Sequence, residues 1–288
     1  MAKYDIDALM RNVDNLPSLS PIVTRIISLS EDEECSIDDL VAAISQEPGF
    51  TSKVLRLANS AFFGYARQIS RVERAVIILG IDSIRNIGLG MAVSSFLKDK
   101  KQPFFEALLN IWEESLRVAD CAREMSRLNK CTYSDDVFIA GLLHDIGKIA
   151  LIKSFPTFYE KINKIIEDKS ISQFAAEKRV LQFTHPELGI KLAENWNFPE
   201  PILYAIKYHH TPYRIQKTES LPVLNIIIPK YICLARLATH PKRAHRKMSL
   251  FTRLCLELSI EPEKIATILE TQEERLIILK EVFSPVNQ

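Results

Sequence analysis

The sequence has little of what marks sheet-rich or disulfide-bonded proteins. Glycine occurs only 8 times in 288 residues, and apolar and polar residues rarely alternate, which disfavours a fold built on β-hairpins. The cysteines are odd in number, far apart and form no Cys-x-x-Cys pair; they are Cys35, Cys121, Cys131, Cys233 and Cys255. This spacing disfavours a disulfide framework. We therefore expect reduced thiols that fill the core of a cytosolic protein.

The chain also lacks a strong net charge and a targeting segment. It has 37 Lys and Arg against 36 Asp and Glu, a formal net charge of +1, so no overall field would attract nucleic acid or an anionic membrane. Residues 1–17 contain no apolar core of a signal peptide. We expect no apolar run long enough to span a bilayer. The expectation is a cytoplasmic protein with no membrane partner.

What the sequence does have is apolar residues at helical spacing along almost its whole length. This pattern predicts an all-α fold, a helical bundle in two lobes. A charged break over 98–103 (KDKKQP) separates an N-terminal lobe over 1–100 from a second lobe over 101–240. We expect a C-terminal helical extension over 241–288.

Local signals predict several features inside this scheme. An amphipathic helix is expected over 1–15, and Gly80 should stop one helix just before the next begins. Asn59, at the end of a helix, is expected to hold neighbouring backbone through its amide. The segment 240–247 (HPKRAHRK) is predicted to be a basic, solvated loop, and two amphipathic helices should follow over 249–285.

The segment 138–150 (FIAGLLHDIGKIA) places His144 and Asp145 side by side in an apolar run. Two adjacent polar side chains in a buried segment are costly unless something compensates them. A metal ion would do so, since it binds neutral imidazole nitrogen and carboxylate oxygen together. Gly147 would let backbone pack closely behind the pair, and Lys148 would reach an anionic group such as phosphate. The alternative is a turn in which His144 and Asp145 satisfy each other and the nearby backbone.

Three further histidines occur at the ends of predicted helices. His185 begins one helix, and His209 and His210 end another. Their separations fit one or two helices, so these places are expected to meet His144 at one end of the bundle. Imidazoles with a carboxylate suit a divalent ion (Fe, Mn, Zn or Mg), which activates water for hydrolysis. The two remaining histidines, His240 and His245, are expected to be solvated.

Together these motifs resemble a known superfamily. The segment 144–148 (HDIGK) is similar to the signature of HD-domain metal-dependent phosphohydrolases, and three other blocks resemble its HD-GYP branch: 115–119 (SLRVA), 185–189 (HPELG) and 209–210 (HH). The N-terminal half resembles the HDOD domain, an HD-related output domain of bacterial signalling proteins, through 16–19 (LPSL), 47–48 (EP), 53–60 (KVLRLANS), 63–64 (FG) and 75–80 (AVIILG). The resemblance covers about residues 10–240. It implies metal ligands at His144, Asp145, His185, His209 and His210, and a phosphate contact by Lys148.

The chain departs from the HD pattern in places that bear on catalysis. Glu114 stands where HD enzymes carry their first metal-binding histidine, and it is either a substitute ligand or a solvated helix residue. The segment 233–237 (CLARL), where the superfamily's last aspartate ligand is expected, contains no acid, and 211–214 (TPYR) replaces the GYP block. Loss of a carboxylate ligand should weaken a metal site severely.

Two classes of function stay open. The resemblance implies a signal-transduction output module with little or no catalysis, whose partner would be a signalling protein or a phosphate-containing small ligand. The alternative is a metal-dependent phosphohydrolase or phosphodiesterase, with His144 and Asp145 as ligands and Lys148 on the phosphate. Nucleic-acid binding through 242–247 is disfavoured, because this basic run is short and lacks interleaved aromatic residues.

Overall fold

The computed structural model describes residues 19–30, 32, 34–60, 68–216, 218 and 220–283. The helix predicted over 1–15 lies outside these residues. Across the described ranges the regular structure is helical and contains no strand, which confirms the predicted all-α fold. The position of a lobe boundary near residue 100 stays a prediction.

The described residues of the N-terminal half form four helices, α1 (Pro21–Ser30), α2 (Ile37–Ser45), α3 (Pro48–Ala58) and α4 (Val72–Ser95). Ser36 begins α2 with a capping box, in which its hydroxyl and the Asp39 side chain satisfy each other's backbone N–H groups. Helix α4 is interrupted at Gly80, whose φ of 79° and ψ of 163° are not helical. The interruption falls at the predicted residue, where only glycine adopts this backbone conformation without strain.

Asn59 fastens the end of α3 to the chain that follows it. Its Nδ2 donates to the carbonyl oxygens of Leu55 at 2.8 Å and Ile69 at 2.7 Å, and its Oδ1 accepts from the backbone N–H of Ile69 at 2.7 Å. This confirms the prediction that the Asn59 amide holds neighbouring backbone.

The expectation that no apolar run is long enough to span a bilayer is wrong, because helix α4 is long enough. By length and composition alone it passes that test, with a mean hydropathy of 1.6 in its most apolar window. However, 61% of that window is buried inside the protein. A buried core helix meets the same criteria, so the helix is weak evidence for a membrane.

The second half surrounds the His-Asp segment with helices. These are α5 (Phe105–Leu128), α6 (Ser134–Leu143), α7 (Ile146–Ser154), α8 (Pro156–Lys169), α9 (Gln173–Val180), α10 (His185–Asn195), α11 (Glu200–Tyr208) and α12 (Val223–Ala238), with a 3₁₀ turn at Pro212–Arg214 before α12. Helix α6 packs on α5 and α4, α7 packs on α10, and α12 covers α5, α6 and α11. Burial of α6 and α7 on almost all sides explains why the segment 138–150 reads as a continuous apolar run.

The C-terminal part differs from the sequence prediction in two ways. The segment predicted as a basic loop forms a short helix, α13 (Pro241–Arg246), because Pro241 suits a first helical position. Three helices follow where two were expected: α14 (Met248–Glu257), α15 (Pro262–Glu270) and α16 (Gln272–Phe283). The last helix packs back onto α5, where Arg275 makes a bidentate ion pair at 2.8 Å with the buried Asp120.

Candidate metal centre

The junction of α6 and α7 aims two polar side chains into the bundle. His144 is the residue after α6 and Asp145 the residue before α7, with φ and ψ of −102° and 17° at Asp145. Helix α7 then crosses α10 very closely: a Cβ added to Gly147 would lie 1.9 Å from the carbonyl oxygen of His185. Only glycine permits this approach, which brings His185, at the start of α10, beside Asp145.

Three imidazoles converge on the Asp145 carboxylate. The Nε2 atoms of His185 and His209 lie 3.2 and 3.4 Å from Oδ1, and that of His144 lies 3.3 Å from Oδ2. All four side chains are buried. The structure therefore brings together residues that are far apart in sequence, as their positions at helix ends predicted.

The hydrogen bonds on the far side of each ring determine where its proton lies. His144 Nδ1 lies 2.6 Å from the carbonyl oxygen of Gly141, and His209 Nδ1 lies 2.9 Å from that of Ile206. His185 Nδ1 lies 2.7 Å from Glu177 Oε2. Carbonyl and carboxylate oxygens only accept, so each Nδ1 donates and each Nε2 presents a lone pair to Asp145.

In this arrangement, buried hydrogen-bond acceptors of the imidazoles face those of the Asp145 carboxylate, with no donor from the described part of the chain between them. Among the described residues, His144 Nε2, His209 Nε2 and Asp145 Oδ1 have no hydrogen-bond partner. Buried polar atoms without partners are costly, and a cation bound between them would remove that cost. Ligand atoms about 2.1 Å from a tetrahedral ion lie roughly 3.4 Å from each other, close to the separations around Asp145. The residues present thus fit a divalent metal ion.

His210 stands beside this group and is linked to a buried arginine. Its Nε2 lies 3.0 Å from His185 Nε2, and its Nδ1 lies 3.2 Å from Arg236 Nη1. Since a guanidinium only donates, His210 accepts at Nδ1 and donates from Nε2 to His185. Burial and the charge of Arg236 lower the pKa of His210, and also that of His209, well below the usual range. Asp145, His185, His209 and His210 form a group in which one ligand atom from each lies within 4.8 Å of all the others.

Lys148 contacts the carboxylate of Asp145, one of the candidate metal ligands. Its Nζ lies 2.5 Å from Asp145 Oδ2. Burial acts to raise the pKa of Asp145, but its electrostatic surroundings, which include the Lys148 ammonium, outweigh burial and hold that pKa well below its usual range. Asp145 is therefore a carboxylate at neutral pH, as metal binding requires.

Glu114 does not contact this group, whereas His144, which is also outside it, contacts Asp145 Oδ2. Arg243 Nη1 lies 2.5 Å from Glu114 Oε1, and His240 Nε2 lies 3.6 Å from the same oxygen. Burial acts to raise the pKa of Glu114, but the charges of Lys148 and Arg243 lower it overall. Glu114 thus fastens α13 to α5. The expectation that His240 is solvated is wrong, since it is part-buried beside this carboxylate.

Two residues at the site escaped the sequence analysis. Glu177 is completely buried and accepts from both the backbone N–H and Nδ1 of His185, at 2.8 and 2.7 Å. Arg236 lies in the segment 233–237, where an acid was expected and a cation stands instead. The sequence did contain a signal for each residue. Glu177 is an acid beside small residues in α9, and Arg236 is a cation in the apolar stretch of α12.

A cavity of about 350 Å³ opens beside the histidines. His185 and His210 form part of one wall. The lining also contains five cationic side chains, Lys148, Arg236, Arg243, Arg246 and Lys247, and the ring of Phe174, and it contains no Asp or Glu among the described residues. The segment predicted as a solvated linker therefore supplies one side of this cavity.

Comparisons with known proteins agree with the fold and with the resemblance in sequence. The family model for the HDOD domain matches residues 16–212. An uncharacterized protein of Treponema pallidum (strain Nichols) is 27% identical over 203 residues, 69% of this chain. The alignment spans only 38% of that relative's length.

Two crystal structures have a similar fold over nearly their whole length. An HDOD domain protein of unknown function from Geobacter sulfurreducens is 25% identical, with a TM-score of 0.71 over 96% of this chain and 95% of that one. A candidate phosphohydrolase from Shewanella amazonensis SB2B is 20% identical, with a TM-score of 0.72 over 96% and 98%. Since the family model covers more than half of its residues, the chain belongs to the HDOD domain family.

Proposed function

We propose that this protein is a signal-transduction output module that holds one divalent transition metal and hydrolyses phosphate esters slowly or not at all. The observation that supports metal binding is the convergence of three buried Nε2 lone pairs on Asp145. His144, Asp145, His185 and His209 would hold the ion; His185 Nε2 would then exchange the hydrogen bond from His210 for the metal, and His210 would stay with Arg236. Imidazole-rich sets favour Zn, Fe or Mn over Mg. Five free cysteines fit the reducing cytoplasm.

The charges around the centre argue against efficient hydrolysis. When bound, a divalent metal supplies an activated water and a Lewis acid. Among the described residues, Asp145 is the only carboxylate that faces the Nε2 atoms of the three imidazoles, and Lys148 already binds one of its oxygens. Arg236 supplies a second cation through His210. Two fixed positive charges disfavour a second divalent ion beside the first. The centre therefore suits a structural or regulatory ion whose state a partner protein could read.

The test combines metal analysis with a hydrolysis assay. The purified chain should contain about one equivalent of Zn, Fe or Mn, and Asp145→Ala should lose it. Added Mn²⁺ or Fe²⁺ should produce no hydrolysis of bis-p-nitrophenyl phosphate above that of Asp145→Ala. Glu113→Ala, an exposed residue paired with Lys280, serves as a matched carboxylate control. Absence of metal would overturn the metal site, and efficient turnover that Asp145→Ala abolishes would overturn the regulatory assignment.

One observation favours the alternative, a metal-dependent phosphohydrolase. The cationic cavity adjoins His185 and His210, and Lys148 lines it while bonding to Asp145. A phosphate ester held there would lie near the proposed ion. The same hydrolysis assay separates the two functions, because only the enzyme would show turnover that depends on both the metal and Asp145.

A further inference from the structure

Arg236 is a buried cation that lacks a carboxylate partner. The residue is only 7% exposed. Among the described residues no Asp or Glu lies within 4.0 Å of it, its Nε has no hydrogen-bond partner, and its Nη1 contacts a neutral imidazole. A buried guanidinium without a counter-charge is costly, because its hydration is lost and nothing replaces it. The cavity that it lines is the place from which an anion could compensate it.

The opposite side of the cavity adds to this positive charge. Helix α13 and the residue after it contribute Arg243, Arg246 and Lys247. Arg243 is partly compensated by Glu114, but Arg246 and Lys247 make no ion pair with any described residue. Like charges gathered around one cavity repel each other unless an anion binds among them.

The cavity also has an apolar side that suits an organic group. The ring of Phe174 lies with its centroid 5.2 Å from that of His210 and is 36% exposed. Leu237 lines the same space. A volume of about 350 Å³ is at the lower end of the range for small-molecule sites and is enclosed by several elements. These features suit a small phosphorylated molecule rather than a polymer.

We propose that the cavity binds the phosphoryl group of a small organic phosphate through Arg236, Arg246 and Lys247, with Phe174 against its organic part. Guanidinium groups match phosphate oxygens in geometry and charge. These three cations lie after residue 212, where the family match ends. Binding does not require the metal, so this proposal goes beyond the proposed function.

The test uses the full chain, as purified and after treatment with a chelator, at low salt. The probes are inorganic phosphate, adenosine monophosphate and adenosine, and binding is measured by calorimetry. Both phosphates should bind with and without metal, the nucleotide more tightly. Adenosine should bind at least about tenfold more weakly than the nucleotide, since it lacks the charge-assisted bonds.

Variants separate this site from general effects of charge. Arg236→Met keeps an apolar side chain of similar length and should lower phosphate affinity by about tenfold or more, while its thermal midpoint should rise because an uncompensated charge is removed. Arg246→Ser with Lys247→Ser should also weaken binding. Lys242→Met removes a charge from α13 at a position that does not line the cavity and should change affinity less than twofold.

Three results would overturn the proposal. They are no binding of either phosphate at millimolar concentration, equal binding by Arg236→Met and the unaltered chain, or binding confined to the metal-loaded protein. The last result would assign the phosphate to the metal. Loss of the metal centre alone would not affect the expected binding, so failure of the proposed function and failure of this inference give different results.

Discussion

The backbone of Gly147 lies against the carbonyl group of His185, with room for a hydrogen and no more. This contact connects the helix that follows Asp145 to the helix that begins with His185. The site depends on it, since the 3.2 Å distance between His185 Nε2 and Asp145 Oδ1 requires α7 and α10 to cross at this separation. Gly189, on the other side of the crossing, is similarly close to the Gly147 backbone.

Gly147→Ala should therefore destabilise the protein severely. The added methyl group would meet backbone atoms, which cannot rotate away, so the two helices must separate. We expect a loss of about 3 kcal/mol in the free energy of unfolding, measured by chemical denaturation. Gly49→Ala is the control, because the nearest atom to its added methyl lies 3.8 Å away, and it should change stability by about 0.5 kcal/mol. Similar stability of the two variants would contradict the close crossing.

Asn59→Ala should remove the link between α3 and Ile69. Three hydrogen bonds are lost and backbone groups are left without partners, so the free energy of unfolding should fall by about 2 kcal/mol. Asn59→Asp should be as damaging, because a carboxylate cannot donate to the Leu55 and Ile69 carbonyl groups. Asn195→Ala, at an exposed asparagine, should stay within about 0.5 kcal/mol. Full stability of Asn59→Asp would show that the two donated bonds contribute little.

Glu177→Gln should weaken metal binding without unfolding the protein. The neutral amide can still accept from His185 but no longer supplies the charge that makes the imidazole a better ligand. We expect metal affinity to fall about 10–100-fold, measured by competition with a chromogenic chelator. Glu187→Gln is the matched control: Glu187 caps the same helix through Thr184 and does not contact the His185 ring. Equal affinities of the two variants would mean that Glu177 does not position the ligand.

Lys53 should titrate near neutral pH. Burial, reinforced by the charges of Lys98 and Arg56, lowers its pKa from 10.5 to about 8. Its reaction with an amine-selective reagent, followed by mass spectrometry of the Lys53 peptide, should therefore reach half its maximal rate near pH 8. A midpoint near 10.5 would contradict the burial of this ammonium group.

The same lowered pKa makes the free energy of unfolding depend on pH through Lys53. Between pH 8 and 10.5 the unfolded chain keeps a proton that the folded chain has released, so this residue makes the free energy of unfolding rise with pH in that window. Its stabilising contribution is complete above 10.5 and is lost as pH falls through 8. Lys53→Met should remove the rise, and an unchanged profile would refute the assignment.

Local patterns in the sequence predicted the helices and the main site residues. Helical spacing indicated the fold, Gly80 interrupts α4 as expected, and the histidines at helix ends meet at Asp145. These features depend on neighbours in sequence or on the ends of helices. Glu177, Arg236 and the partner of Glu114 could not be found in this way. Their roles depend on contacts across the bundle, such as Arg243 with Glu114, which are 129 residues apart.

X-ray absorption spectroscopy on the purified protein can show whether the three imidazoles and Asp145 form a centre for a single metal ion. We expect one transition-metal ion per chain in a shell of imidazole nitrogens with a carboxylate oxygen, lost in Asp145→Ala. A protein that binds no such ion after loading, or that keeps the same metal spectrum in Asp145→Ala, would contradict this single-metal centre.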